Sequence, residues 1–550
     1  MLQSIYNCDI KCYTCDIMDN PQINILIKYL LQSDQAVKDL AVYTDYKRRI
    51  WDSVNQYVQR FLSHRTNQWI IIPGLRGVGK TTLLAQLYNH LSLVGNKTSR
   101  FYFSLEQLSL IGASINDLVE AFKFLRQEHP ERMFFIFLDE VHSDPQWSLG
   151  CKIIFDQIPN SFLVCTGSSA LSLRLNPDSA RRARLIKMYP LSLAEFVAIR
   201  QSQGDVSQAH LPASNLSHKL RTALFESRTI IEVYEGLLSC RKFVDHYYNS
   251  LGQTGFLGKM TADESASSQL IEEYINGYGT LPFFSLPKYV NQQIGLLPTG
   301  TSGRTDEHDK GEIREVILQT VEQTLTGDTL KLLAGQSSDA RVNFQLQAST
   351  INLLPKLIRI LANSERISLR TIATKLEDTH QKTLGVMLKV LIMSDLISEV
   401  SPLGSHLGRS TKTPKYLFGA PALRQALVPL NSSKGISATN HQSGQLRGRL
   451  LEDTVVMYLE RIFGKLSEKR IIEYDSRSGG ADFVVTPPAT NRDQIVVEVG
   501  YGKKTSVQAK QTLQNVNGLY GLVITSSVTR PEIDTNNNSV YAPLSYFLLT

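Results

Sequence analysis

The sequence predicts an α/β protein in which a parallel-sheet core is followed by a helical lid, a winged helix and a second, smaller α/β domain. Three observations predict this class. A glycine-rich loop separates an apolar strand from an amphipathic helix within residues 69–91, and a second apolar strand ends in two carboxylates at residues 133–140. From residue 448 onward the order is helix, three strands, helix, strand. The length of 550 residues fits three or four domains of about 150 residues each.

Composition places the chain among globular proteins. Apolar residues make up 42% and charged residues 20% of the sequence, which excludes disordered and collagen-like classes. The longest purely apolar run, Met133–Leu138, is far too short to cross a membrane. The first residues lack the basic and apolar pattern of a signal peptide. We therefore expect a cytoplasmic protein with no membrane partner.

The six cysteines do not make a disulfide framework in a chain of this length. Cys8, Cys12 and Cys15 have a CxxxCxxC spacing that suits an iron–sulfur cluster or zinc, but no fourth ligand of suitable spacing is nearby. A reduced N-terminal tail is the favoured interpretation of these three residues, and a metal site is the alternative.

Two polar stretches without periodicity mark breaks in the chain. Residues 300–311 predict an exposed loop, and residues 431–444 have the composition of a flexible linker. The predicted order is an N-terminal tail and helix, the parallel-sheet core, a helical lid and connector, a winged helix, a linker and the C-terminal α/β domain, at residues 1–44, 45–200, 201–345, 346–430, 431–446 and 447–550.

The glycine-rich loop follows the β-branched run Trp69–Pro73 and has the sequence Gly-Leu-Arg-Gly-Val-Gly-Lys-Thr-Thr. This is GxxxxGK[ST] in the strand–loop–helix context that a phosphate-binding loop requires. Glycines let backbone N–H groups wrap phosphates, and the helix N-terminus favours negative charge. We expect Lys80 to reach the β- and γ-phosphates of ATP and the Thr81 hydroxyl to ligate Mg²⁺. The predicted nucleotide-binding residues are Gly74, Leu75, Arg76, Gly77, Val78, Gly79, Lys80, Thr81 and Thr82.

An acidic pair follows the apolar strand Met133–Leu138. Asp139 and Glu140 stand at the edge where a parallel sheet places its ligands. We expect Asp139 to complete the Mg²⁺ shell and Glu140 to orient or polarise the attacking water. A strand at Phe101–Ser104 is predicted between the loop strand and the acidic strand. This order is typical of ASCE-type ATPases, which carry a catalytic glutamate.

A further strand begins at Ser161 and ends in hydroxyl side chains. Thr166 and Ser168 stand where a polar group can sense the γ-phosphate of ATP. An arginine-rich segment at 181–184 and the sequence Tyr-Pro-Leu-Ser-Leu-Ala-Glu-Phe at 189–196 come next.

Together with Leu-Asp-Glu-Val-His and Thr-Gly-Ser-Ser-Ala, these motifs resemble the prokaryotic AAA-like P-loop ATPases that carry a C-terminal domain of unknown function. The resemblance spans residues 45–550 in motif order. It implies an ATPase and makes Arg182 the candidate arginine finger or sensor. The family usually has Gly-Arg seven residues before the Tyr of Tyr-Pro-Leu-Ser, and this chain has Arg181-Arg182.

The segment 351–430 is basic, with eleven Lys or Arg against five Asp or Glu. Helices are predicted at Leu353–Leu361, from Ser368, and at Thr379–Leu391, followed by a hairpin of residues 396–400 and 415–418. This order is a winged-helix pattern, and the family resemblance implies the same. A winged helix that packs against protein is the alternative to DNA binding. The predicted DNA contacts, mainly to the backbone, are Gln381, Lys382, Lys389, Arg409 and Lys412.

The C-terminal domain resembles the core of PD-(D/E)XK nucleases, also called restriction-endonuclease-like. Glu452, Asp482 and Glu498 match its carboxylates, and the resemblance implies that they hold Mg²⁺ for phosphodiester hydrolysis. Gly500 stands where the family has its lysine, and Lys503 or Lys504 replaces that lysine only if the intervening Gly-Tyr-Gly turn folds back. A degenerate, inactive domain is favoured over an active nuclease.

The sequence therefore predicts a Mg²⁺-dependent ATPase, acting as a homo-oligomer or with a partner protein, whose nucleotide state controls a DNA-contacting winged helix and an inactive nuclease-like tail. One alternative is an ATP-dependent signalling or assembly switch that binds protein partners without DNA. The other is an active ATP-controlled nuclease. Antiviral defence, mobile-element function and replication or repair are all compatible with the predicted activity.

Overall fold

The structure, a computed structural model, divides into two compact units, Met1–Met188 with Gly327–Gln345, and Tyr189–Thr326 with Leu346–Thr550. Cys8, Cys12, Cys15, Ser168, Arg409 and Lys503 lie outside the described residues. The described residues are 20–38, 46–94, 98–167, 181–202, 212, 215–253, 265–276, 279–281, 307–325, 351–364, 366–376, 379–404, 412–428, 439–464, 471–488, 493–502 and 504–550.

The first unit alternates strands with helices. Strand β4 is buried along its whole length, and β3 is buried except at its first residue, as their unbroken apolar sequences require. The helices are α1 (Pro21–Leu31), α2 (Ser33–Lys38), α3 (Ile50–His64), α4 (Lys80–His90), α5 (Glu106–Leu110), α6 (Ile115–Glu128) and α7 (Trp147–Gln157). The strands are β1 (Gln68–Pro73), β2 (Thr98–Ser104), β3 (Met133–Asp139), β4 (Ser161–Gly167) and β5 (Arg184–Leu185).

These strands form one parallel sheet in the order β2-β3-β4-β1-β5. The strand between the loop strand β1 and the acidic strand β3 is therefore β4. The prediction that Phe101–Ser104 lies there is wrong, because this segment forms the edge strand β2, and order along the chain does not fix order across a sheet. One strand, β4, still separates β1 from β3. The sheet therefore has an extra strand between the loop strand and the acidic strand, as the ASCE-type order requires.

The described residues of the second unit are mostly helical up to residue 393, and the unit ends in a second sheet. None of the helices that the structure describes is both long and apolar enough to cross a membrane. The helices are α8 (Leu193–Ser202), α9 (Leu216–Phe225), α10 (Ile230–Gln253), α11 (Ser265–Asn276), α12 (Glu307–Gln323), α13 (Leu354–Ala362), α14 (Leu369–Lys375), α15 (Gln381–Met393), α16 (Pro421–Leu427), α17 (Thr439–Phe463), α18 (Val507–Leu513) and α19 (Leu544–Phe547). The strands are β6 (Ile397–Pro402), β7 (Lys415–Phe418), β8 (Ile472–Tyr474), β9 (Phe483–Val485), β10 (Gln494–Gly500), β11 (Gly518–Thr525), β12 (Glu532–Asp534) and β13 (Ser539–Pro543).

The basic segment contains the three helices α13, α14 and α15, then the hairpin β6–β7, and then a fourth helix, α16. The side chain of Ser368 caps α14 by accepting a hydrogen bond of 3.1 Å from the backbone N–H of Thr371. On α15, Leu384 and Leu388 are buried, as their helical spacing predicts. The elements therefore occur in the predicted order, and their identification as a winged helix stays a prediction.

The hairpin and the C-terminal strands belong to one eight-stranded sheet, in the order β12-β13-β11-β10-β9-β8-β6-β7. Strand β6 continues beyond the hairpin and pairs in parallel with β8, with Ser401 opposite Glu473 and Pro402 opposite Tyr474. The basic segment and the C-terminal strands thus share backbone hydrogen bonds, although the predicted linker separates them along the chain.

Candidate functional site

The glycine-rich loop joins β1 to α4 through a tightly constrained backbone. Gly77 and Gly79 have φ angles of 84° and 95°, which side-chain-bearing residues rarely adopt. A Cβ added at Gly74 would lie 2.5 Å from the backbone oxygen of Met188. The loop therefore requires glycine both for its turn and for a close backbone approach.

Two contacts from distant parts of the first unit fix this loop. The backbone N–H of Met188 donates a 2.8 Å hydrogen bond to the carbonyl of Pro73, immediately before the loop. The buried guanidinium of Arg48 donates a 2.7 Å hydrogen bond to the carbonyl of Val78, within the loop. The loop is thus held in place before any ligand binds, which lowers the entropic cost of binding.

Lys80 begins helix α4 and lies across the loop. Its buried ammonium donates hydrogen bonds to the carbonyl oxygens of Gly74, at 3.1 Å, and Leu75, at 3.0 Å. Both acceptors are neutral, whereas an ammonium bonds more strongly to charged oxygens. A phosphate group entering the loop therefore offers Lys80 a better acceptor than those it has.

Asp139 lies where the loop helix meets the ends of two strands. Thr81 donates a 2.7 Å hydrogen bond to Oδ2 of Asp139, and Tyr102 donates one of 3.2 Å to the same oxygen. Oδ1 accepts from the hydroxyl of Thr166 and, at 3.1 Å, from the backbone N–H of Glu140. The structure thus brings together Thr81, Asp139 and Thr166, the three residues that the sequence predicts for metal binding and γ-phosphate sensing.

Burial controls the electrostatics of this carboxylate. Desolvation raises the pKa of Asp139 above its usual value, the charge of Glu140 raises it further, and hydrogen bonds from Thr166 and Thr81 oppose the shift. Desolvation, followed by the charge of Asp139, likewise raises the pKa of the Tyr102 phenol, which keeps it a hydrogen-bond donor. A cation beside Asp139 would favour its charged form.

Glu140 leaves the end of β3 in an unusual backbone conformation. Its φ angle is 47°, in the left-handed region that non-glycine residues seldom occupy. Its Oε2 atom lies 3.3 Å from Nδ1 of His142, a buried side chain. Strained backbone of this kind is often found at functional sites, where the fold holds a side chain in one direction.

Sequence reasoning missed three residues of this site, namely Arg48, Tyr102 and Met188. Tyr102 carries a detectable signal, because it is a hydroxyl-bearing residue in an apolar strand that pairs with the acidic strand. Arg48 and Met188 carry no such signal. Both act through contacts with the loop from distant sequence positions.

The structure does not bring Arg182 to its own phosphate loop. Its Nε atom lies 3.0 Å from Oδ1 of Asp156, near the end of α7. Asn67, which precedes β1, donates hydrogen bonds to the carbonyls of Phe155 and Ile158 on either side of Asp156. Arg182 therefore lies beside the first residues of β1, whereas the glycine-rich loop follows the last residue of that strand. At the rise of an extended strand, the two ends of β1 are about 17 Å apart. A role for Arg182 in hydrolysis requires the nucleotide of another copy of the chain.

The residues predicted to contact DNA are exposed where the structure describes them. Gln381, Lys382 and Lys389 are exposed on α15, and Lys412 is exposed shortly before β7. Within the described part of the chain, neither Lys382 nor Lys389 takes part in an ion pair.

The predicted nuclease carboxylates lie close together in the second unit, but lysines lie between them. Glu452 and Asp482 both contact Lys415, and Asp482 and Glu498 both contact Lys504. The Gly-Tyr-Gly turn does fold back, because a Cβ at Gly500 would lie 2.7 Å from Cδ of Lys504. Lys415 was not predicted, since it belongs to the hairpin strand β7. Among the described residues, no three acidic, histidine or cysteine side chains are arranged to hold a metal ion.

Glu498 is the most buried of these carboxyl groups, with an exposed fraction of 1%. Desolvation, followed by the charge of Asp482, raises its pKa to about 7, and Lys504 acts in the opposite direction. Its Oε2 atom has no hydrogen-bond partner among the described residues. Partial protonation of Glu498 near neutral pH therefore brings the cluster closer to charge balance.

Comparison with known proteins identifies the first site. Residues 66–197 match a family model described as an AAA domain. This segment is therefore similar to AAA domains. Domains of this type are P-loop ATPases, so the match supports an AAA-like ATPase.

Proteins that match a larger part of the chain do not identify a further activity. An uncharacterized protein of Methanocaldococcus jannaschii, MJ1637, is 27% identical over 519 residues, which cover 93% of this chain and 91% of that protein. The Walker-type ATPase paby2304 of Pyrococcus abyssi is 12% identical, covers 70% of this chain and 95% of its own, and superposes with a TM-score of 0.36. The Orc1 protein of Aeropyrum pernix, solved in complex with DNA, has the same identity and coverage and a TM-score of 0.31. The AAA-domain match, rather than these two superpositions, supports the assignment.

The position of Arg182 generates a testable prediction. If Arg182 completes the site of a neighbouring copy, Arg182→Ala should keep ATP affinity and lose turnover by on the order of 10³-fold, because only transition-state charge is left uncompensated. Asp156→Ala is the matched control, since it removes the ion pair but keeps the arginine. Steady-state phosphate release and ATP titration measure both quantities.

Mixing the Arg182→Ala protein with a Glu140→Gln protein extends this test. A mixed interface pairs an intact arginine with an intact glutamate, so some activity should return. Absence of rescue, together with a monomer in sedimentation in the presence of ATP, would remove the proposed role of Arg182 between copies.

Proposed function

We propose that this protein binds ATP with Mg²⁺ at the carboxyl edge of its five-stranded sheet and hydrolyses it. The observation that carries the proposal is the Asp139 carboxylate, which accepts hydrogen bonds from Thr81 of the loop helix and Thr166 of the adjacent strand. Carboxylate and hydroxyl oxygens are ligands that Mg²⁺ accepts beside nucleotide phosphates, so the residues present fit the ion. The AAA-domain match over residues 66–197 supports the same activity.

Each side chain of the site has a separate part in this proposal. Lys80 exchanges the neutral carbonyls of Gly74 and Leu75 for phosphate oxygens and stabilises their negative charge. Thr81 and Asp139 would hold Mg²⁺, which would supply positive charge beside the transferred phosphoryl group. Glu140 accepts a hydrogen bond from the attacking water and orients it toward that group.

Substitution of Glu140 by glutamine tests the hydrolytic step. Glu140→Gln should retain ATP binding and lose turnover by about 10²- to 10⁴-fold, because the amide keeps the shape of the side chain but removes the charge that activates water. Phosphate release and titration with a fluorescent ATP analogue separate the two effects. Lys80→Ala should lose ATP binding itself.

Glu120→Gln is a matched control for this experiment. Glu120 is an exposed carboxylate of the same unit and lies 2.7 Å from Lys123 on the surface of α6. Its substitution should leave both ATP binding and turnover unchanged. Normal turnover by the Glu140→Gln protein would show that the roles given to the acidic pair are wrong.

We also propose that α15 and the hairpin contact DNA, mainly through its phosphate backbone. Lys382 and Lys389 share one side of α15, Gln381 is exposed at its first residue, and Lys412 is exposed near the hairpin strand β7. Few long basic side chains lie on this side of α15, and a Cβ at Gly385 would meet nothing within 4 Å. Such a surface favours salt-sensitive contacts with phosphates over the reading of base edges.

A switch that binds protein partners without DNA is the second candidate. One observation favours it, since β6 of the hairpin is already paired with β8 inside the eight-stranded sheet. A hairpin used in this way has a packing role within the protein. In this case, nucleotide binding would control contacts with other copies of the chain or with a partner protein, and not contacts with DNA.

Duplex binding over a salt series distinguishes these two candidates. The double substitution Lys382→Ala and Lys389→Ala should weaken binding for all sequences and reduce the slope of log K against log salt by about 2, since each lysine contact releases roughly one counterion. Lys123→Ala, a change to a partly exposed helical lysine of the first unit that is paired with Glu120, is the control and should leave the slope unchanged. Filter binding measures the slope.

Turnover measured in the same titration gives a second readout. ATP hydrolysis that rises with added duplex supports DNA contact. Equal binding by wild type and the double variant, with turnover indifferent to DNA, would favour the switch that binds protein alone.

A further inference from the structure

Five charged side chains of the second unit alternate in sign along one path. Glu452 and Asp482 lie on either side of Lys415, whose Nζ atom is 3.1 Å from Oε2 of the first and 3.3 Å from Oδ1 of the second. Asp482 and Glu498 lie on either side of Lys504, at 3.8 Å and 2.7 Å. Each ammonium thus bridges two carboxylates, and Asp482 belongs to both bridges.

Lys415 cannot leave its bridge unless the hairpin moves. Its side chain has no exposed surface, and the rings of Tyr474 and Phe483 each lie 5.5 Å from its ammonium. Its backbone is paired with Val400 across the hairpin. Burial alone would lower the pKa of Lys415, but the charges of Glu452 and Asp482 raise it above its usual value, so the side chain stays a cation.

Helix α17 holds both ends of the strand that carries this lysine. Glu452 contacts the ammonium of Lys415, which is the first residue of β7. The next residue, Asp453, accepts a 2.8 Å hydrogen bond from the backbone N–H of Phe418, the last residue of β7. The buried guanidinium of Arg424 donates to both carboxylate oxygens of Asp453. Contacts from α17 at both ends of β7 therefore fix the position of Lys415.

Lys504 is less constrained. Its side chain has an exposed fraction of 30%, and it follows Gly502, which has a φ angle of 78°. Of the two lysines, only Lys415 has a side chain without exposed surface.

The metal ion that the nuclease resemblance implies does not fit these residues. A divalent ion such as Mg²⁺ needs oxygen ligands at about 2.0–2.1 Å in an octahedral shell. The gap between Glu452 and Asp482 already contains a buried ammonium that donates a hydrogen bond to each of them. A second cation in the same gap would be repelled by the first and would find its ligands engaged.

We propose that Lys415 is the resident cation of this cluster and takes the place between Glu452 and Asp482 that PD-(D/E)XK nucleases give to a divalent metal ion. The ion pairs join the hairpin to α17 and to the residue that precedes β9. The cluster then binds no divalent ion and the domain cuts no DNA, whether or not the first unit hydrolyses ATP.

Mn²⁺ binding to the nucleotide-free full chain, followed by electron paramagnetic resonance, tests this proposal. Wild type, Glu452→Gln and Asp482→Asn should bind the same amount of Mn²⁺, because neither carboxylate is available while Lys415 is in place. Lys415→Met should bind one more ion per chain than wild type, because the carboxylates are left without their cation. Adding Asp482→Asn to Lys415→Met should remove that gain.

Arg366→Met is the matched control. Arg366 is an exposed cation that lies over the same Tyr474 ring at 5.2 Å and is bridged to Lys415 through the backbone. Its removal takes away a nearby positive charge but leaves the buried ammonium, so Mn²⁺ binding should match that of wild type. A gain equal to that of Lys415→Met would overturn the proposal, since net charge alone would then explain it.

Three further outcomes would overturn the proposal. One is a Lys415→Met protein that folds and gains no ion. The second is a wild-type Mn²⁺ site that Asp482→Asn abolishes, a comparison that stands even if Lys415→Met does not fold. The third is nicking of supercoiled DNA by wild type, with Mg²⁺ or Mn²⁺, that disappears in Asp482→Ala.

Discussion

The nucleotide site depends on one constraint, the parallel register of β4 between β1 and β3. Ile72 at the end of β1 is opposite Thr166, and Leu138 is opposite Cys165, so Thr166 and Asp139 reach the sheet edge together beside the loop. Side chains alternate between the two faces of a strand, so a slip of one residue would turn Thr166 away from Asp139. The buried Asp139 carboxylate would then lose one of the donors that offset its desolvation.

In the first unit, backbone hydrogen bonds fix the position of the glycine-rich loop. In the second unit, buried ion pairs fix the position of β7. A buried ion pair contributes little net stability, because desolvation offsets the attraction, but removal of one partner leaves a charge uncompensated. Lys415 with Glu452, and Arg424 with Asp453, therefore act less as a source of stability than as a requirement for one arrangement of β7 against α17. The same hairpin joins the C-terminal sheet through the parallel pairing of β6 with β8.

The sequence predicts those features that are local along the chain. The loop, the acidic pair and the leucines of α15 each lie within a short window whose residue spacing has one physical interpretation. Contacts between distant residues have no such window. The place of β4 between β1 and β3, the hydrogen bond from Tyr102 to Asp139 and the insertion of Lys415 between Glu452 and Asp482 all required the structure. Lys504 is an intermediate case between local and distant features. The sequence predicts that it can replace the family's lysine only if the Gly-Tyr-Gly turn folds back, and the turn does fold back.

The central claim is that Thr81 and Asp139 form a Mg²⁺-dependent ATP site at the sheet edge. Calorimetric titration of the full chain with ATP, in Mg²⁺ and in excess chelator, tests it most directly. We predict that Mg²⁺ tightens ATP binding to wild type and that Thr81→Ala loses most of this difference while it keeps the metal-independent affinity that Lys80 and the loop provide. Equal ATP affinity with and without Mg²⁺, or an unchanged Mg²⁺ effect in Thr81→Ala, would contradict the account.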